Sequence, residues 1–381
     1  MSAKTESSNE HVETGPASGA IVIDDGTSTC RVGLACDDAP RAVIPSFVAT
    51  PRAQALVSGM GQMHSYVGEE ALQMRGQITI KHPVEQGVVT NWDDMEKVWH
   101  HALYKKLECQ DSVEQHVLLS EPPLNPIMNR EKAAQIFFES FDVPGFYLAN
   151  HLVLSLLSTG RVSGIVLGSG DCVSYAMPVY EGCALRYGTK HSYLGGREMT
   201  EALATLLTRR GVEMRTSADY NVARTIKEQL AFVAAADADA HPHPDGITDL
   251  EKTYTTPDGK VITLDHERYK CAEVFFKPVE DELDRLLLPD LVRRCLAMGP
   301  DTLPEPAKNI VAAGGPTQCP GFTERLQSEL VDCGGEVHRA KQHSAWLGGA
   351  LLASSPHFQE MCITKEEYDE VGPSMVERRC F

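Results

Sequence analysis

Three features of the sequence predict an α/β fold: two strand-turn-strand units about 140 residues apart, amphipathic helical segments between and after them, and a third glycine-rich stop behind an apolar strand. The first unit is Ala20-Ile21-Val22-Ile23-Asp24-Asp25-Gly26, a β-branched run ended by a turn signal, with 27–35 returning beside it. The second is Gly164-Ile165-Val166-Leu167-Gly168-Ser169-Gly170-Asp171, continued by 172–179. Two similar halves are therefore expected. Helical spacing is clear in 93–107, where Met95, Val98, Trp99, Ala102, Leu103 and Leu107 share a face, and in 130–141, 196–210, 218–235 and 322–331. A further helix is expected over 145–159. The third stop, Ala312-Ala313-Gly314-Gly315-Pro316, closes the strand 309–312. Residues 1–19 are polar with little to bury and are expected as a loose arm. Pro and Gly clusters at 241–246 and 299–306 read as loops inside the second half.

Composition removes several function classes. Lys and Arg number 35 against 53 Asp and Glu, a net charge of −18 over 381 residues, so no basic field exists to hold nucleic acid. Apolar residues at 42% and charged residues at 23% fit a globular chain with a core divided over about two domains. The longest apolar runs, 151–157 and 163–168, are far short of the roughly 20 residues a membrane-spanning helix needs. A soluble, intracellular protein is expected. Eleven cysteines form no CxxC pair, which argues for reduced thiols rather than a disulfide framework or zinc site.

A strand ending in Asp24-x-Gly26 bends backbone N–H groups beside a carboxylate, a geometry able to hold phosphate oxygens and a hydrated Mg²⁺ together. Alone, such a turn is ordinary hairpin chemistry. Ser169-Gly170-Asp171 and Gly314-Gly315 repeat the offer in order, and three turns of this kind carry more weight than one.

DDGTSTCRVGLACDDAPRAVIPSFVATPR (24–52) resembles the amino-terminal signature of actin. NWDDMEKVWHHALY (91–104), LLSEPPLNPIMNREKAAQIFFESF (118–141), EKTYTTPDGKVITLDHERYKC (251–271) and EYDEVGPSMVERRCF (367–381) continue the resemblance in order over nearly the whole chain. It implies an actin-like ATPase fold: two α/β domains around a nucleotide cleft, each with a smaller outer subdomain. The expected division is 20–158 plus 344–381, with an outer part near 46–82, and 159–343, with an outer part near 195–280.

By that resemblance Asp24, Gly26, Thr27 and Arg31 stand where actins hold the ATP phosphates and the metal's water shell, Arg31 replacing a Lys. The metal would be met by Asp24 through water. Ser28 replaces a Gly and Asp25 an Asn, adding a side chain and a negative charge near the phosphates. Two unit charges about 5 Å apart at an effective dielectric near 20 repel by roughly 3 kcal/mol, so weakened binding is expected unless Asp25 turns away. In the second turn Ser169, Gly170 and Asp171 remain, whereas Gly168 replaces a carboxylate, Cys172 a Gly and Tyr175 a His. His151 replaces the Gln that orients attacking water. Asp24, His151 and Asp171 are thus the candidate catalytic set in degenerate form. Because phosphoryl transfer depends on positioning and electrostatics, hydrolysis is expected to be slow or absent. Lys227 and Glu228 match the ribose-contacting pair and Gly314-Gly315 the diglycine under the adenosine. Cys319, Gln318 and Gln342 replace an aromatic, a Met and a Lys there. ATP or ADP with Mg is the implied cofactor, held weakly if at all.

The surfaces that build actin filaments have mixed fates. The loop 53–63 keeps Gly59-Met60-Gly61-Gln62, but the apolar plug aligns with Glu280-Asp281-Glu282-Leu283, whose carboxylates resist burial in an apolar cleft. That stretch reads as an amphipathic helix. His241-Pro242-His243 with Asp237 and Asp239 reads as an acidic loop rather than a metal site, Gln86 occupies the place of a modified His, and Cys380 is expected to be exposed. The resulting expectation is a divergent actin-like structural subunit of a cytoskeletal or motor assembly, with protein partners that include actin or actin-binding proteins. Its setting is cytoplasmic, with axonemal or nuclear assemblies as alternatives. The competing expectation is a filament-forming actin with active hydrolysis; a sugar-kinase-like enzyme is disfavoured because the blocks resemble actin.

Overall fold

The structure, a computed structural model, describes residues 19–51, 65–68, 78–109, 113–236, 250–278, 285–298 and 309–380. The arm before residue 19, the loop 53–63, the segment 280–283, the His241 and His243 loop and the Pro/Gly clusters at 241–246 and 299–306 lie outside the described residues.

In chain order, β1 (Ile21–Asp25), β2 (Thr29–Leu34) and β3 (Ala42–Pro45) form a meander. Two small sheets follow: β4 (Val48–Pro51) with β5 (Tyr66–Val67) and β6 (Ile78–Lys81), and β7 (Val84–Glu85) with β8 (Val88–Val89). Then come α1 (Trp92–His100), β9 (Val117–Glu121), α2 (Ile127–Glu139), β10 (Gly145–Asn150) and α3 (His151–Leu157). The second half runs β11 (Gly164–Ser169), β12 (Ser174–Tyr180), β13 (Cys183–Ala184), β14 (Lys190–Ser192), α4 (Gly196–Arg209), α5 (Ser217–Leu230), β15 (Lys252–Thr255), β16 (Val261–Leu264), α6 (Glu267–Lys270) and α7 (Leu288–Leu296). It continues through β17 (Ile310–Ala313), α8 (Phe322–Glu329), β18 (Val337–Arg339) and α9 (Ser344–Ala353). The chain closes with α10 (Phe358–Met361), β19 (Ile363–Thr364), α11 (Lys365–Val371) and α12 (Val376–Arg379).

The two main sheets repeat one plan. The first is ordered β19-β10-β9-β1-β2-β3, the second β13-β12-β11-β17-β18, with β14 also paired to β12. In each, the opening strand lies between an antiparallel hairpin partner and a parallel strand arriving later in the chain. A helix then links two parallel strands, α2 between β9 and β10 and α8 between β17 and β18. Parallel strands covered on both faces read as continuous apolar runs, which is why Val117, Leu118 and Leu119 and then Ile310, Val311 and Ala312 show no alternation.

The closing helices of the two repeats, α3 and α9, pack on each other, and each also packs into the core of the other repeat's sheet. Trp346 of α9 joins the core of the first sheet and donates Nε1–H to the Val22 carbonyl at 3.0 Å. Leu152 and Leu156 of α3 join Val166, Met177 and Val311 of the second sheet. The carboxyl terminus is tied down by buried Arg130, which bonds Glu121 through Nε, Glu377 through Nη1 and the Cys380 carbonyl through Nη2 at 2.7 Å.

Several expectations need correction. The segment 145–159 is not one helix: 145–150 is β10, and His151 opens α3, capped by Asn150, whose side chain accepts from the Leu152 N–H. The helix expected over 218–235 stops at Leu230, since 231–235 run on without helix as Val233 N–H donates to the Pro320 carbonyl at 2.7 Å. Cys380 is buried, not exposed, with Sγ accepting from the Leu148 N–H at 3.3 Å.

Candidate functional site

The site is built at the carboxyl ends of the central strands β1 and β11, where each runs into its hairpin turn. The turns are closed alike, Gly26 N–H donating to the Thr29 carbonyl at 3.0 Å and Gly170 N–H to the Val173 carbonyl at 2.9 Å. Strand register extends the match: Asp24 pairs with Arg31 as Gly168 pairs with Tyr175, and Asp25 with Cys30 as Ser169 with Ser174. Asp24 and Gly168 are therefore equivalent positions.

In the first turn, Asp24 is held on both oxygens. Ser120 Oγ donates to Oδ1 at 2.8 Å and Arg31 Nη1 to Oδ2 at 2.8 Å. Arg31 Nε donates in turn to His343 Nδ1 at 2.9 Å, and His343 holds a left-handed φ of 60° at the start of α9. Asp25 does not point at a phosphate position. Its Oδ2 accepts from Trp99 Nε1 at 2.5 Å, which turns the carboxyl into the protein and removes the expected charge from the turn. Burial pushes this carboxyl up to about 6 despite bonds from Cys30 and Trp99. Thr27 Oγ1 accepts from Gly87 N–H at 3.2 Å, and Ser28 Oγ accepts from Arg224 Nη2 at 2.7 Å.

In the second turn, the carboxylate lost at Gly168 has not left free space. A Cβ at Gly168 would lie 2.2 Å from Leu152 Cδ2, so an apolar side chain stands where the equivalent of Asp24 would start. Asp171 keeps its place, with Oδ2 3.5 Å from Arg197 Nη2 and its carbonyl accepting Arg197 N–H at 2.7 Å. The Ser169 and Ser174 hydroxyls are 2.9 Å apart. His151, half-buried, is depressed in pKa by burial, partly offset by Asp24 and a bond to the Glu121 backbone; its ring is 6.2 Å from Tyr175.

Farther along, Lys227 Nζ donates to the Gly196 carbonyl at 2.8 Å, and its pKa is lowered chiefly by burial. Gly196 Cα is the meeting point of three elements: a Cβ there would lie 3.1 Å from Lys227 Nζ, 3.7 Å from Asp171 Oδ1 and 3.7 Å from Pro316 Cγ. Glu228 Oε1 accepts from Arg224 Nε at 2.9 Å. Gly314 has a φ of 98° and passes so close to Ser169 that a Cβ would be 2.0 Å from its carbonyl oxygen, so only Gly serves there. Gly315 is open, and burial pushes the Cys319 thiol up to about 12.

Twinned turns at the ends of two equivalent sheets are one finding; the other is that the family model for actin matches residues 15–381. The chain belongs to the actin family. Actin-family proteins generally bind ATP or ADP with Mg.

The structure thus brings Asp24, Arg31 and His151 together at one end of this actin-family site and Asp171, Lys227, Gly314 and Gly315 at the other, with Ser28 and Glu228 joined through Arg224. The turns and cationic side chains fit nucleotide phosphates. They do not fit a divalent ion well: Asp24 is already paired to a guanidinium, the second carboxylate is absent and its space filled, and among the described residues no group of three or more His, Cys, Asp or Glu could hold a metal. Sequence reasoning missed Ser120, Leu152, Arg224 and His343. Ser120 had a signal, being at the carboxyl end of a parallel strand beside β1, where α/β sheets place their ligands.

Proposed function

We propose that this chain is a nucleotide-binding structural subunit of a larger protein assembly, with slow or absent ATP hydrolysis and impaired self-polymerisation. The observation that carries the reading is the Gly168 and Leu152 pair, which puts an apolar group where the second turn would offer a carboxylate. Orientation of an attacking water needs converging polar groups, and removing them leaves binding without turnover. Asp24, Gly26, Thr27, Ser28, Arg31, Ser169, Gly170 and Asp171 would face the phosphates, and Lys227, Glu228, Gly314 and Gly315 the nucleoside. The matched strand orders support a division into 20–158 plus 344–381 and 159–343, braced by the ligand. A cytoplasmic, cytoskeletal setting with protein partners fits the family and the acidic composition.

One observation favours a second reading, an active filament-forming ATPase: His151 is kept neutral by burial and feels Asp24, so it could accept a proton from water. Incubation with Mg-ATP, followed by sedimentation and a phosphate-release assay, separates the two. The structural subunit stays in the supernatant and releases no phosphate above background; a pelleting, phosphate-releasing protein rejects it.

A further inference from the structure

We propose that this cleft takes its nucleotide without a divalent cation, the phosphates being met by guanidinium and ammonium groups, and that Leu152 is the residue that sets this preference. The proposal rests on reading the cleft as a nucleotide site. Its ground is the comparison of two equivalent positions in one molecule. At Asp24 a carboxylate is present but is bound by Arg31 Nη1 and Ser120 Oγ, both at 2.8 Å. At Gly168 there is none, and Leu152 Cδ2 would lie 2.2 Å from any Cβ introduced.

Hydrated Mg²⁺ demands near-octahedral geometry and keeps several waters, each needing an acceptor. The two equivalent positions offer one carboxylate with a cation already on it and an isobutyl group, the neighbouring imidazole is committed in part to the Glu121 backbone, and the Asp171 carboxylate of the second turn also has a cation, Arg197, 3.5 Å away. A divalent ion approaching Asp24 would meet the Arg31 charge at short range. The opposite holds for a polyphosphate. Arg31 of β2, Arg197 of α4 and Lys227 of α5 stand beside the two turns, and Arg224 reaches the first turn through Ser28. Losing a fixed negative charge at Gly168 makes the floor more positive, which removes part of the need for a metal to shield the phosphates.

The test uses the full chain stripped of nucleotide and a fluorescent N-methylanthraniloyl-ADP, titrated once in millimolar Mg²⁺ and once in EDTA. The expected dissociation constants agree within about threefold. The variant L152A/G168D, which supplies a carboxylate and room for it, is expected to bind at least about tenfold more tightly in Mg²⁺ than in EDTA. Binding by the natural chain only in Mg²⁺ overturns the proposal and leaves the nucleotide reading standing. Binding in neither condition overturns both. A folded double variant that remains indifferent to Mg²⁺ overturns the role of Leu152; should that variant fail to fold, the natural chain in the two buffers still decides the main claim.

Discussion

The carboxyl of Asp25 lies against the Trp99 indole and the Cys30 thiol, with Oδ1 buried and without a partner. Burial costs the charged form more than one indole N–H and one thiol return, so the acid holds its proton up to about 6 rather than 3.8. The sign follows. Between those values the folded chain binds more protons at Asp25 than the unfolded one, so this group's contribution to stability is fully present below 3.8 and is lost as pH rises through 6. The loss amounts to about 3 kcal/mol once Asp25 is fully ionised. Asp25→Asn keeps an acceptor for Trp99 and has no charge to bury. Its midpoint of thermal unfolding should exceed that of the natural chain at pH 8 and merge with it below pH 4; equal midpoints at pH 8 would contradict this account. His151 supports a second residue-level prediction. If the Leu152 and Gly168 pair is what disables water positioning, His151→Gln alone should raise phosphate release by no more than about threefold, because one oriented amide lacks a second polar partner. Asp25 also marks what the sequence could reveal at this scale. Its substitution was legible, but its direction was not, since the Trp99 partner is 74 positions away.

The equivalent helices α3 and α9 pack closely through Gly348, where a Cβ would lie 1.8 Å from the Leu154 carbonyl oxygen. Backbone cannot yield as a flexible side-chain tip can. Gly348→Ala should therefore destabilise the chain by at least about 3 kcal/mol, read from denaturant midpoints, because α9 must move off α3 and carry Trp346 from the first core. Gly315→Ala is the control: nothing lies within 4 Å of its would-be Cβ, and a change within about 0.5 kcal/mol is expected. Elements of this kind were legible to different degrees. Both hairpins announced themselves through β-branched runs stopped by Gly. The strand β10 did not, because Phe146, Tyr147, Leu148 and Ala149 form a short apolar run that fits a buried strand or a buried helix equally well, and α3 follows it without a break. The end of α5 was overrun for a similar reason: Phe232, Val233 and Ala234 are buried, but as extended chain against α8 and the Pro320 carbonyl. The Gly168 loss could be read directly, whereas the filling of its space by Leu152 is a tertiary contact with no local pattern.

Across the whole molecule, Arg224 joins the two repeats at the cleft, as the Arg31 and His343 pair also does. Its guanidinium bonds Glu228 through Nε and reaches 196 positions back in the chain to Ser28 Oγ through Nη2. Arg224 and Glu228 are four residues apart on one helix, and only the fold shows the third partner, Ser28. Ser28 stands where the resemblance places a Gly, so the hydroxyl that accepts this bond is itself a departure from the family pattern. The contact ties the first turn to α5, the helix that carries Lys227 and Glu228 of the proposed nucleotide site. It should hold the two halves together while ligand is bound and slow the ligand's escape. Stability should hardly depend on it, because the Arg224 and Glu228 side chains are 41% and 55% exposed and such pairs contribute about 0–1 kcal/mol. Arg224→Ala should then speed release of N-methylanthraniloyl-ADP by about tenfold in a displacement experiment, the kinetic equivalent of about 1.4 kcal/mol, with a nearly unchanged unfolding midpoint. Arg224→Lys keeps a charge but cannot span Ser28 and Glu228 at once, so its release rate should fall between the two. A double-mutant cycle with Ser28→Ala decides the route: if the cross-half bond is responsible, Arg224→Ala adds nothing once Ser28 is Ala, whereas additive effects would assign the two residues to separate contacts with the nucleotide.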